Sequence, residues 1–462
     1  MSTSRLSHNL RNCTIDGLAG IPIGFLLQPG NFIISALLVG FYHLPPAVFG
    51  LIASLPFWGN FVQVFLMPAI NRRFSPKSVS VISASLQVLC WIVLVILLPF
   101  LPADRPAVSG AWLTALFALS ALVGSMAGVS WTSWVREWVP GRLLGKYFGR
   151  RNRLIQVTQI AFLLISGWLI GRVGTSLVAF QLLLAVACVL RIVSIFFQFK
   201  ITPKPILTGQ PENQLTWREQ LGILLRHKPV LWFIAYGAAW GFSASLFGPF
   251  NTVFMYQELG LSVGAVSSIV MVASLGGAVS APAWGALADR YGNKPVMLFC
   301  MITWQLTNLF WCVVTRETSA VLYATWFLGG SLGMGFALSL FNIQLKIIPT
   351  QAKTLAISVN LAVSSLVTAV GPIIGGGILQ HLLAGANPAI EVYHGVFLVP
   401  PLLSLLACLL LTRVLETSAQ PLSSVVGAMR NARTLGSVLG ASFLTDYLFV
   451  RPRERPQRSE LR

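Results

Sequence analysis

Apolar runs of about 20 residues, the length that crosses some 30 Å of hydrocarbon at 1.5 Å per residue, recur along almost the whole chain. Short polar loops rich in arginine, lysine, proline and glycine separate them. The pattern predicts twelve spans, at 14–41, 46–70, 78–101, 110–136, 154–174, 176–199, 229–257, 262–288, 295–315, 319–346, 354–383 and 392–414. The fold class expected is therefore an all-α membrane protein. One span is unusual: FLLQPGNFII, residues 25–34, sets Gln28, Pro29, Gly30 and Asn31 in the middle of an apolar run. Pro29 has no amide hydrogen and Gly30 weakens the next turn, so a bent or unwound helix is expected there.

Composition agrees with a polytopic membrane protein: of 462 residues, 55% are hydrophobic and only 10% charged. A net charge of +19 raises the question of nucleic acid. The basic residues fall in short loops rather than in one stripe, so no nucleic-acid partner is expected. Arg72, Arg73, Lys77, Arg142, Lys146, Arg150, Arg151, Arg153, Lys200, Arg290, Lys294, Lys346 and both tails lie on one face. Arg105, Arg172 and Arg316 are all that the other face offers. The bias predicts a multi-pass protein of the cytoplasmic membrane with both termini in the cytoplasm. Six cysteines without a CxxC pair read as small buried hydrophobes, and no metal or cofactor is expected.

The break at Pro29 has a counterpart downstream. LQPGN at 27–31 is answered by FGPFN at 247–251, pairing Pro29 with Pro249 and Asn31 with Asn251; IASL at 52–55 meets VASL at 272–275 at the same offset. The chain thus reads as two parallel six-helix repeats related by an axis along the membrane normal. Residues 1–200 form the first bundle, 201–228 a linker, 229–415 the second bundle and 416–462 a basic tail. In the linker, Thr216 and Glu219 have capping-box spacing ahead of LGILLRH, which predicts a short amphipathic surface helix. The tail is expected to begin with an interfacial helix and to end in a disordered RPRERPQRSELR. Backbone breaks at membrane depth are tolerated where they are buried in protein or line a wet cavity, and matched breaks in two halves point to a transporter's central site.

After the eighth span stands WGALADRYGNKPV, with Gly285, Asp289, Arg290, Gly292 and Lys294. This resembles the loop signature G-x-L-a-D-r-x-G-r-k of the major facilitator superfamily, except for Asn293 in place of a basic residue. The resemblance covers the whole chain and implies a latch between the halves, with Asp289 engaging the start of the fifth span near Arg150 and Arg151. The first-half copy, AINRRFSPK, carries Asn71 and Arg72 and lacks the aspartate, which predicts a weaker latch there. GPIIGGG at 371–377 resembles the antiporter glycine motif but stands in the eleventh span rather than the fifth, so drug antiport is not supported by its own marks.

The family's cavity is lined by the first, fourth, seventh and tenth spans. The resemblance therefore nominates Gln28, Asn31, Trp131, Trp134, Trp240, Asn251 and Asn342 as cavity residues, around the breaks at Pro29, Gly30 and Pro249. Neutral amides with indoles suit a neutral hydroxylated or amphipathic solute. Ionisable groups inside spans are scarce. Asp16 and Glu137 are the candidate coupling carboxylates, and Arg191 is expected to snorkel toward the cytoplasm. The leading expectation is a secondary transporter moving a small organic solute by alternating access, acting as a monomer in the lipid bilayer. A non-transporting assembly factor or sensor, or a lipid flippase, are the alternatives; no hydrolytic or redox constellation suggests an enzyme.

Overall fold

In a computed structural model, which describes residues 3–173, 176–202, 216–414, 416 and 419–430, the chain folds into two bundles of six helices. The first holds α1 (Thr3–Leu26, resumed as Phe32–Ser35 and a π-turn Ala36–Phe41), α2 (Pro46–Asn71), α3 (Pro76–Leu97), α4 (Pro106–Trp138), α5 (Gly141–Val173) and α6 (Leu177–Lys200). The second holds α7 (Lys228–Phe247, resumed as Phe250–Gln257), α8 (Val263–Tyr291), α9 (Asn293–Asn308), α10 (Val321–Ile347), α11 (Lys353–Leu383) and α12 (Ala389–Phe397 with Val399–Thr412). Among the described residues eleven helices are long and apolar enough to cross a bilayer, and the remaining predicted span is the divided α1.

Two boundaries differ from the sequence reading. α1 starts at Thr3 rather than 14, and α5 at Gly141 rather than 154. In both cases a polar, basic segment continues the helix beyond its apolar part, so hydrophobicity alone underestimates the length. As a result GKYFGRRNR lies on α5, and Arg151 is carried by a helix rather than a loop.

The duplication is visible in how the halves are tied together internally. Lys77, at the start of α3, donates to the carbonyls of Phe199 and Ile201 at 3.2 and 2.7 Å. Lys294, at the start of α9, donates to those of Thr412 and Val414 at 2.9 and 2.7 Å. Each cation meets the unpaired, negatively polarised carbonyls at a helix C-terminus. The repeat also governs how the halves meet: α2 packs on α11 and α8 packs on α5, the same two pairings with the halves exchanged.

These seams are tight on the side opposite the termini. Gly50 and Gly376 let α2 and α11 approach until backbone meets backbone, at Pro372 and Pro46 respectively, leaving no room for a Cβ on either. The Ala47 amide donates across to Gln380 Oε1 at 3.2 Å. On the other seam Ser267 donates to the Leu163 carbonyl at 2.9 Å.

On the side of the termini, Thr216 and Glu219 form the capping box that starts the surface helix Trp217–Arg226. The tail contributes a helix, Leu422–Arg430, whose Val425 and Ala428 are buried in the second half's core. The expected continuation of that helix through Leu435 and Leu439, and the terminal basic stretch, lie outside the described residues.

Candidate functional site

The two breaks touch. α1 stops at Leu26, the chain turns through Gly30 at φ +66°, and a Cβ there would lie 2.6 Å from Pro249 Cα. Glycine is required both by that dihedral and by that approach. Thr252, one turn into the resumed α7, donates from Oγ1 toward the Gly30 carbonyl at 3.3 Å and shares a 2.8 Å hydrogen bond with Ser35. Tyr256 donates to the Phe32 carbonyl at 2.9 Å, and Phe49 stacks edge-on to Phe250 at 5.3 Å. The breaks are thus where the two halves cross, and the polar backbone they expose is satisfied between them.

Asn31 is used up in this junction. Its Oδ1 accepts from the amides of Ile33 and Ile34 at 3.0 and 3.3 Å, and its Nδ2 donates to the Phe25 carbonyl at 2.9 Å. It caps one helix segment and ties down the end of the other, and it is 6% exposed. Asn31 accordingly lines none of the three larger cavities described below, only a small space of about 20 Å³ beside Pro29 and Gly30. Its repeat partner Asn251 behaves differently, because Pro249 keeps helical geometry and leaves no open amides for Asn251 to cap. Asn251 lines a cavity instead.

That cavity occupies the second half, with a volume of about 740 Å³. Its walls are aromatic, from Trp240, Trp304, Trp311 and Trp326, with Asn251, Gln305, Asn308 and Gln344 as polar groups. Trp240 is held against Phe336, ring centroids 4.6 Å apart. Trp240 and Gln344 are shared with a second space of about 440 Å³ between the halves, which runs from Pro29 and Pro249 past Asn60 toward Phe233 and Asn360 on the side of the termini. Asn60 in turn belongs to a third recess, of about 410 Å³, inside the first half. The three volumes are neighbours, with these shared side chains between them.

The first-half recess is the charged one. Asp16 is 3% exposed and receives three hydrogen bonds: Trp131 Nε1 at 2.8 Å, Ser194 Oγ at 2.6 Å and Gln198 Nε2 at 2.8 Å. Arg191 does not snorkel outward, in contrast to the sequence expectation. It turns inward, donating to Ser194 Oγ at 3.3 Å and Gln87 Oε1 at 3.1 Å, because Gly20 leaves space beside its guanidinium. Arg151 lies flat on Gly17, its guanidinium 4.5 Å over the Trp131 ring. Of the two candidate coupling carboxylates, Asp16 faces this recess, while Glu137 is exposed at the end of α4.

The remaining nominees divide. Gln28 and Trp131 line the first-half recess, and Trp240 the second-half cavity. Trp134 is buried with Trp138 in a separate apolar cluster, where Lys77 sits 5.6 Å over its ring. Asn342 donates to Asn293 Oδ1 at 3.0 Å, a helix-to-helix tie outside the cavities. Of the residues expected to form a latch, Asp289 and Arg290 are exposed, as are Asn71, Arg72 and Arg150, and Arg151 is engaged with α1. Among the described residues Asp289 has no hydrogen bond or ion pair, and a Cβ on Gly285 would meet open space rather than another helix.

Lys294 serves another contact. Glu416, just beyond α12, accepts from the backbone amides of Asn293 and Lys294 at 3.3 and 2.7 Å, from Asn293 Nδ2 at 3.0 Å and from Lys346 Nζ at 2.9 Å. Burial pushes this carboxyl up, but the hydrogen bonds from Asn293, Lys346 and Lys294 outweigh it and hold it below the ordinary glutamate range. The sequence reading missed Glu416, Gln87, Ser194 and Gln198. A signal existed for the last two: Arg191, Ser194 and Gln198 stand at i, i+3 and i+7, one polar stripe on an apolar span.

Comparison with known proteins places the chain. The family model of the Major Facilitator Superfamily matches residues 21–250 and 238–450, and the protein belongs to that family of transporters rather than to any enzyme class. A probable peptide/nitrate transporter of Arabidopsis thaliana is 28% identical over 193 residues, 39% of this chain and 36% of its own length. The multi-drug resistance efflux pump PmrA of Streptococcus pneumoniae is 27% identical over 24% of this chain and 28% of its own. This chain therefore spans only about a third of the length of the curated relatives it matches. Among solved structures, the D-xylose–proton symporter superposes with a TM-score of 0.68 at 12% identity, covering 90% of this chain and 100% of that one. The nucleoside transporter NupG superposes with a TM-score of 0.65 at 13% identity, covering 88% of this chain and 100% of that one, a likeness of fold.

Proposed function

We propose that the protein is a secondary transporter that moves a small organic solute across the cytoplasmic membrane by alternating access, with both termini in the cytoplasm. The observation that carries this reading is the asymmetry of the seam. The halves are joined at the breaks and beyond them on the side away from the termini, by glycine-mediated contacts and hydrogen bonds. On the side of the termini a cavity lined by both halves lies between them, and the residues expected to form the latch are exposed. This is the geometry of a state open to the cytoplasm. The opposite state requires the Gly50–Gly376 seam to part and the Asp289 loop to close, each half moving as a body about the crossing at Gly30 and Pro249.

The solutes for which the similar transporters are named, from nucleosides and xylose to peptides or nitrate, are too varied to choose one. The cavities themselves accommodate a molecule of ordinary metabolite size. The test is side-specific labelling of single cysteines. Gln344→Cys and Asn60→Cys are expected to react with a membrane-impermeant thiol reagent from the cytoplasmic side, and Asn31→Cys from neither side. Protection of Gln344→Cys and Asn60→Cys from both sides would show a closed core and sink the transport reading.

A further inference from the structure

The charge in the first-half recess is unbalanced. Two guanidiniums, Arg151 and Arg191, and one carboxylate, Asp16, face it. Asp16 accepts from three neutral donors and makes no direct ion pair with either arginine; Ser194 stands between it and Arg191, so one carboxylate is left to balance two guanidiniums. Arg191 in turn has only neutral acceptors, Ser194 and Gln87, and its buried Nε has no hydrogen-bond partner. A guanidinium with five donors, placed inside the membrane and left partly unsatisfied, is costly unless an acceptor completes it. The second-half cavity has the opposite character: four indoles and neutral amides line it, with no charged side chain.

We propose that the recess is the head-group subsite of the transport cavity and that the solute is an amphipathic organic carboxylate. This rests on the transport reading given above and goes beyond it. The carboxylate sits against the part of Arg191 that lines the recess, meeting the planar donor geometry a guanidinium offers an anion, with Arg151 as the second positive charge. The apolar body extends past Asn60 to Trp240 and its neighbouring indoles, where stacking and burial favour it. Gly17 and Gly20 supply the space: a side chain on Gly20 would come 2.9 Å from Arg191 Nη1, and one on Gly17 would collide with Arg151. A cation is disfavoured by the net positive charge, and a neutral solute can accept a hydrogen bond from Arg191 without balancing its charge. The neutral, hydroxylated solute suggested by the indoles and amides alone is thereby replaced.

The experiment uses the full-length purified protein and 4-phenylbutyrate as probe, with 4-phenylbutyramide as its neutral isostere, 4-phenylbutylamine as the cation and sodium chloride as the simple anion. Thermal shift and quenching of tryptophan fluorescence both report binding. The carboxylate is expected to stabilise the protein and the amide and amine not to. Arg191→Gln should weaken binding at least tenfold, Arg191→Lys should recover part of it, and Arg151→Gln should weaken it less. Should Arg191→Gln fail to fold, the ranking of the four probes on the parent protein and the effect of Arg151→Gln decide. Equal binding of amide and carboxylate, an affinity unchanged by these substitutions, displacement by chloride at equal concentration, or no binding of the carboxylate each overturns the assignment. Side-specific labelling of Gln344→Cys separates the two failures: a labelled cysteine with no anion preference removes this subsite alone, and an unlabelled one removes the transport reading beneath it.

Discussion

Asn31 and Asn251 occupy equivalent sequence positions and do different work. The difference follows from the backbone that each inherits: the turn before Asn31 frees amides that a side-chain oxygen can cap, and the milder interruption before Asn251 does not. Asn31→Ala is therefore expected to cost about 0.5–2 kcal/mol of stability, the range for a lost helix cap. It should lower the melting temperature while leaving solute affinity unchanged, whereas Asn251→Ala should do the reverse. Parallel melting curves and binding isotherms on the two variants check this. Asp289 offers a second contrast at the same scale. Exposed and unpartnered among the described residues, it should tolerate Asp289→Asn within about 0.5 kcal/mol, as surface positions do, in a melting experiment.

Among elements, the close approach of α2 and α11 depends on two glycines. Gly376→Val places a branched side chain against the Pro46 backbone and should push the seam apart. A bias of about 1.4 kcal/mol changes the ratio of the two states tenfold. The expected result is increased labelling of cysteines placed beside the seam from the outer side and decreased labelling of Gln344→Cys from the cytoplasm. A second device joins the tail to the second half, through Glu416 on the start of α9. Because that carboxyl is held below its ordinary value, its contribution is complete above the unfolded glutamate pKa of about 4.3 and is lost as the pH falls through the lower folded value. Hydrogen exchange at the Asn293 and Lys294 amides should thus accelerate under acid relative to neighbouring helix amides, and Glu416→Gln should show raised exchange already at neutral pH.

At the scale of the whole molecule, the arrangement of spans in two parallel repeats was legible because each helix carries its own signal: an apolar run, a basic loop, a proline at the edge. The paired breaks, the Thr216–Glu219 cap and the loop beginning at Gly285 were legible for the same reason. The charged recess was not. Asp16, Gln87, Trp131, Arg151 and Arg191 come from five helices, and Arg191 alone reads as an interfacial residue free to reach water. Only the packing of α6 on α1, with Gly20 beside the guanidinium, turns it inward. The loop motif at Gly285 was legible, yet the exposure of Asp289 was not, because it depends on which side the halves meet.

The sequence by itself determined the membrane-spanning fold, the duplication, the bias of basic residues to one face and the position of the breaks, since all of these depend on local periodicity and on the cost of placing polar backbone in lipid. The tertiary structure decided that the breaks cross one another, that Asn31 is a cap while Asn251 faces a cavity, and that an arginine in α6 stands unmatched beside the central space. Those outcomes depend on which helices become neighbours, and the free energy of an arginine or an asparagine in a membrane is fixed by the partners that its neighbours supply.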